Sequence, residues 1–333
     1  ALSETAVDRL KEIKSRTPNQ PFSLAVKSSE DALDYVPDIS VLGKRLARRC
    51  WPGPITLVIS GSHSDSVVSQ LPDRVQPMVL KEGYVGLRVP AHEVFRNISR
   101  LTVGPILLTS ANHAGEPDCQ DGQSVVDCLG DQVDLVLDQG ETRYGQASTV
   151  VKIIDNDYQI LREGVFGDAT VKRMCSFMAL FVCTGNTCRS PMAELLMKQQ
   201  LAEKLGVEID QLEEKGIQVA SAGVAAMPGA KASHESIEAM KKMGLELSQH
   251  ESQPVSDRLL EYSDVILTMT NGHRQALVSH WPEIADRTKI ICADGSDIAD
   301  PIGGPLSLYE SCAKQIDHQI KEWVDQIELG IPE

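Results

Sequence analysis

Cys183-Thr184-Gly185-Asn186-Thr187-Cys188-Arg189-Ser190 places a thiol and a guanidinium six positions apart. That pairing suits phosphoryl transfer. A thiolate is a strong nucleophile, favoured where N–H groups or positive charge surround it. An arginine presents a planar fork that matches two phosphoryl oxygens. The preceding SFMALFV (176–182) reads as a buried strand, and a helix is predicted from Pro191 with Ser190 as its N-cap. Backbone N–H groups of a loop that runs onto a helix N-terminus converge on an anion. The predicted catalytic residues are therefore Cys183 and Arg189, in a phosphate loop of Thr184, Gly185, Asn186, Thr187, Cys188 and Ser190. Gly185 is expected to let the loop turn tightly, Asn186 to tie it through its side chain, and Ser190 to donate to the Cys183 sulfur. Cys188, five positions on, is placed to trap an oxidised Cys183 as a disulfide. Spacing alone is weak support in a chain with eight cysteines; strand, glycine, asparagine, Ser-Pro and helix together carry the reading.

The elements that must hold this loop alternate between strand and helix. Strands are predicted at 217–223, 264–269 and 289–293, with helices between them, the rhythm of a parallel sheet. In the first half, strands are predicted at 22–26, 55–60, 84–89, 105–110, 133–138, 148–154 and 158–161. An amphipathic helix at 40–50 stops before Trp51-Pro52-Gly53-Pro54. Residues 164–174 read as a joint, which divides the 333 residues into domains at 1–170 and 176–333. The formal net charge of −15, with no basic tail or basic helix, speaks against direct nucleic-acid binding and against an anionic membrane surface. No apolar run approaches a membrane span, and the polar opening does not read as a signal peptide. The chain opens on Ala, so it is expected to begin partway into a longer product. Eight cysteines without a dense framework suggest a reducing cytoplasm. Cys50, Cys119, Cys128 and Cys175 read as structural, and no closely spaced set of four metal ligands is apparent, so no metal is expected.

Through the run CTGNTCRSPMAE (183–194), residues 177–330 resemble the low-molecular-weight protein tyrosine phosphatases. Ser221-Ala222-Gly223, the run MTNGHR (269–274) and Asp300-Pro301 match further family motifs. The resemblance implies a three-layer α/β/α fold with a small parallel sheet, and no cofactor. It also implies a mechanism. Cys183 attacks phosphorus, Asp300 protonates the leaving group, and water hydrolyses the phosphocysteine with Asp300 as base. Thr187 and Asp300-Pro301-Ile302-Gly303-Gly304 look more like the bacterial protein arginine phosphatases, although Ile302 departs from their usual Phe. A phosphoprotein substrate is implied, phosphoarginine ahead of phosphotyrosine, with tyrosine specificity as the alternative. Arsenate reductases share a similar loop but need a downstream cysteine pair, and 253–264 holds none.

In the first half an ordered set of motifs resembles the YrdC-like domain of L-threonylcarbamoyladenylate synthase. They are Lys14-Ser15-Arg16, Trp51–Thr56, Gly86-Leu87-Arg88-Val89-Pro90, Ser110–Pro117, Ser148-Thr149-Val150 and Leu161–Gly164. That family joins threonine, bicarbonate and ATP for the t6A modification of tRNA. The resemblance implies a mixed-sheet α/β domain with ATP and Mg²⁺ as cofactors. Lys14, Arg16, Arg88 and Arg162 are expected to hold phosphates and a carboxylate, and Ser110, Asn112 and Ser148 to give oriented hydrogen bonds. The family's Thr-rich opening strand is missing, and its Arg-Pro and Lys-Pro read Arg16-Thr17 and Gln20-Pro21. A non-catalytic nucleotide-binding module is therefore the alternative for this half.

Overall fold

The computed structural model describes residues 1–14, 21–113 and 115–332. They form two compact units, the first Ala1–Cys175 and the second Ser176–Ile331.

The first unit is built on a mixed sheet of β1 (Ser23–Ala25), β2 (Ile55–Ser60), β3 (Leu80–Lys81), β4 (Tyr84–Arg88), β5 (Ile106–Leu108), β6 (Thr149–Ile154) and β7 (Asp157–Arg162), in the order β5-β1-β4-β2-β6-β7 with β3 beside β4. The β1–β4 and β2–β6 pairs are parallel and the others antiparallel. Leu24, Leu57, Leu87 and Val151 bury completely at its centre. Helix Val41–Cys50 starts at Ser40, whose side chain accepts from the Gly43 amide, and lays Leu42, Leu46 and Ala47 into the same core. The 164–174 segment is no joint: helix Asp168–Cys175 packs Val171, Met174 and Cys175 into this core. Arg45 and Arg49 donate to the Cys175 and Met174 carbonyls at its C-terminal end, where cations are favoured. The predicted strand at 133–138 is absent. An alternating pattern describes any extended segment, and this one finds no ladder partner; Leu135 and Leu137 stay exposed along a cavity wall.

The second unit has an all-parallel sheet, ordered β11-β10-β8-β9, from β8 (Phe177–Cys183), β9 (Ile217–Gly223), β10 (Val265–Thr268) and β11 (Thr288–Ile290). Every residue of β8 is buried, so its continuous apolar run faces a core on both sides. Phe177, Ala179, Phe181 and Cys183 point into one core, with Met192, Leu196 and Leu201 of helix Arg189–Leu205 and Ala313, Ile316 and Ile320 of helix Leu306–Gln326. Leu180 and Val182 point the other way, toward Leu260 of helix Asp257–Tyr262 and Leu277 of helix Asn271–His280. The result is three layers, α/β/α. No helix among the described residues is long and apolar enough to cross a membrane.

Candidate active site

The loop after β8 wraps around the Cys183 sulfur. The Asn186 amide donates to it at 3.3 Å, and the Ser190 hydroxyl lies 3.0 Å away. Asn186 is the keystone. Its side-chain amide donates to Ser190 Oγ at 2.9 Å and to Ser221 Oγ at 2.8 Å, and its carbonyl oxygen accepts from the Gln253 amide at 2.9 Å. Ser221 in turn donates to Glu194 at 2.7 Å, and His250 Nε2 meets the Asn186 backbone carbonyl at 2.8 Å. Two expectations change here. The left-handed turn falls on Asn186, at φ 55°, and not on Gly185. Asparagine is among the few side chains that tolerate this region. The helix begins at Arg189 after Cys188, with no side-chain cap. Ser190 is fully buried and turned to the Cys183 sulfur and the Ala222 carbonyl, so its hydroxyl cannot also cap the helix.

Among the described residues, the amides of Gly185, Thr187, Cys188 and Arg189 donate to no protein acceptor. They are the orphan donors of a helix start, suited to an anion. Gly223, at the end of β9, lets the loop sit close. A Cβ there would lie 2.5 Å from the Thr184 carbonyl oxygen and 2.9 Å from the Asn186 nitrogen.

Arg189, 4% exposed, donates to the Ile298 carbonyl at 3.0 Å and pairs with the half-exposed Asp300. The other Asp300 oxygen accepts from the Ile302 amide at 3.2 Å. Thr187 is half-buried in the loop and Ile302 is exposed in the Asp300 segment. The Cys188 thiol meets Ser233 Oγ at 3.4 Å and packs with Ala239 and Tyr309.

His273, in the MTNGHR run, joins the site through contacts that the sequence spacing does not show. Its Nε2 meets Thr184 Oγ1 at 2.9 Å and its Nδ1 meets Thr270 Oγ1 at 2.8 Å. Burial, and then the Arg189 charge, pull its pKa below the ordinary histidine value.

In the first unit Arg88, Ser110, Ser148 and Arg162 line one cavity of about 750 Å³, together with Tyr84 and Lys152. Arg162 donates to the Ser148 carbonyl and hydroxyl, and Arg88 to the Gly53 carbonyl. Burial and then the Arg162 charge lower the Arg88 pKa. Lys14 lines a second cavity with Arg88 and Ser110. Its buried ammonium donates to the carbonyls of Ser110 and Asn112 and to Asn112 Oδ1 at 2.7 Å, fixing the 110–112 loop. Asn112 is buried in that same knot, accepting from Ser110 Oγ and donating to the Glu116 carbonyl. Arg16 lies outside the described residues.

A thiol seated under a helix-start anion cradle, with arginine and aspartate across from it, defines a cysteine-based phosphatase unit. The comparisons agree with that class. Residues 178–330 match the model of the low molecular weight phosphotyrosine protein phosphatase family, and the chain belongs to this family through its second unit. Residues 1–164 match the model of the YrdC-type family described as telomere recombination. The second-unit relatives include the protein-arginine-phosphatase of Bacillus subtilis, 34% identical over 44% of this chain and 95% of that protein. They also include a probable low molecular weight protein-tyrosine-phosphatase, EpsP, of Ralstonia nicotianae, 32% identical over 44% and 94%. For the first unit, the threonylcarbamoyl-AMP synthase of Pyrococcus abyssi is 33% identical over 49% of this chain but only 46% of that protein.

Proposed function

We propose that the second unit hydrolyses phosphoproteins through a phosphocysteine and prefers phosphoarginine to phosphotyrosine. The observation that carries the chemistry is the Cys183 sulfur beneath the unpaired loop amides, with Arg189 and Asp300 adjoining. Phosphate oxygens take the loop amides and the Arg189 fork. The Cys183 thiolate attacks phosphorus, forming the P–S bond as the P–N bond of phosphoarginine breaks. Asp300 protonates the departing guanidine nitrogen. Water then attacks the phosphocysteine, gives its proton to Asp300, and the thiolate leaves, steadied by Ser190 Oγ and the Asn186 amide. The arginine preference rests on Thr187, which offers one hydroxyl and little apolar bulk at the loop. A polar contact of that kind discriminates against substrates that leave it unpaired. The ratio of kcat/KM for phosphoarginine and phosphotyrosine peptides tests this. The ratio should favour phosphoarginine and swing toward phosphotyrosine in Thr187→Ile. A wild type that prefers phosphotyrosine overturns the reading.

For the first unit we infer an ATP and L-threonine site in the cavity of Arg88, Ser110, Ser148 and Arg162, serving threonylcarbamoyl-AMP formation for tRNA. The two guanidiniums suit phosphates or a carboxylate, and the cavity has the size of a small-ligand site. Mg²⁺ would arrive largely on the ATP phosphates. The whole chain carrying Cys183→Ser should consume ATP only with both threonine and bicarbonate present. ATP binding without that turnover would instead make the unit a nucleotide-binding module in a cytoplasmic phosphatase.

A further inference from the structure

The loop that carries Ser110 and Asn112 ends in a group the sequence spacing conceals. His113, Glu116 and Cys128 each bring one ligand atom to within 4.8 Å of the others. His113 Nε2 lies 3.1 Å from the Cys128 carbonyl, and the Cys128 thiol donates to Glu116 Oε2 at 3.7 Å. Cys119 stands outside this group, its thiol donating to the Ser124 carbonyl at 3.4 Å. The framework is fixed from outside. The Glu116 amide donates to the His113 carbonyl at 3.2 Å, and Asn112 holds the Glu116 carbonyl at 2.6 Å. Cys128 sits in the last turn of helix Gly122–Leu129, whose start is locked by the reciprocal bonds of Asp121 and Ser124.

We propose that His113, Glu116 and Cys128 form a binding site for a divalent cation of the zinc type. The donor set selects the metal: thiolate and imidazole favour zinc and its borderline neighbours, whereas magnesium and calcium want oxygen alone. The spacing is close to what such an ion needs. Zinc bonds of about 2.3 Å to sulfur and 2.0–2.2 Å to oxygen set those two atoms roughly 3.5 Å apart in a tetrahedron, and here they stand at 3.7 Å. Loading releases the thiol proton of Cys128. It also requires His113 to present a lone pair, giving up the bond to the Cys128 carbonyl if Nε2 is the ligand. Affinity therefore rises with pH. Glu116 is exposed and gives the ion an open approach. Once bound, the ion would staple the 110–118 loop to helix Gly122–Leu129. Cys119, which lines the Arg88 cavity, would carry that rigidity to the cavity wall.

The test is a Co²⁺ titration of the full chain carrying Cys183→Ser, which removes the phosphatase thiol, purified metal-free under reductant. We expect one equivalent to give thiolate-to-cobalt charge transfer and the visible bands of a tetrahedral ion, both bleached by Zn²⁺. Cys128→Ser should abolish the charge transfer, and Cys119→Ser should leave it in place. His113→Ala and Glu116→Gln should weaken zinc binding tenfold or more; Glu116→Gln, on the surface, leaves folding undisturbed, which circular dichroism checks. No thiolate band in the parent, or a band unchanged in Cys128→Ser, overturns the site.

Discussion

Replacing Asn186 by alanine isolates what holds the phosphate loop in shape. The substitution removes two bonds donated by Nδ2 and one accepted by Oδ1. At about 1 kcal/mol net per buried bond, that is about 3 kcal/mol. Alanine at a φ of 55° adds about 1 kcal/mol, a penalty that glycine escapes. Asn186→Ala should therefore cost the second unit about 4 kcal/mol and Asn186→Gly about 3 kcal/mol. Differential scanning calorimetry of the whole chain reads this as a fall of about 10 °C or more in the second unit's transition, the first unit's staying in place. Hydrolysis of an aryl phosphate should collapse in both variants, because the amide that points at the Cys183 sulfur belongs to the same residue. A transition moved by less than about 2 °C with activity retained would refute the claim that this network shapes the site.

Gly223→Ala should drive a methyl into the Thr184 carbonyl and the Asn186 nitrogen; a displacement of about 1 Å should cost on the order of 10²-fold in kcat/KM, and unchanged kinetics would show that the loop has slack. Because the folded state depresses the His273 pKa, the unfolded chain takes up the proton first as pH falls through the ordinary value of 6.5. Stability of the second unit should thus be full above that value and decline below it, with a shallower decline in His273→Gln, measured by denaturant midpoints from pH 8 to 5 at roughly unit steps. Iodoacetate at neutral pH should modify Cys183 ahead of Cys50, Cys175 and Cys312, whose thiols burial pushes up to about 12. Inorganic phosphate should slow only the Cys183 reaction, and equal labelling of Cys312 by mass spectrometry would contradict the assignment.

The residues legible in the sequence are those whose meaning is local. Cys183 to Ser190 announce a strand, a turn and a helix start within one short window, and β8 announces itself by being apolar throughout. What stayed hidden depends on partners far along the chain. Nothing near Ser221 says that it links Asn186 to Glu194, and nothing near Lys14 says that its ammonium will be consumed by carbonyls at 110 and 112. Ser190 misled because Ser-Pro before a helix has a good local use as a cap, which a buried sulfur outcompeted. The leucines at 135 and 137 misled because alternation cannot reveal whether a neighbouring ladder exists.

Strand β8 is paired along both edges, to β9 over 177–183 and to β10 over 179–182, with both faces covered. Its amides should exchange with solvent deuterium only when the whole unit opens. The segment from Ile291 to Pro305 contains no helix or strand, and it is tethered near the loop by the Ile298 amide on the Met269 carbonyl and by Arg189. Its exposed turns should exchange through smaller openings than β8, although Ile291, Cys292 and Ile298 are buried in the same core as Cys183. Asp300, half-exposed on irregular backbone, should therefore loosen in mild denaturant before the strand-borne Cys183, and activity should lose its acid before its thiol.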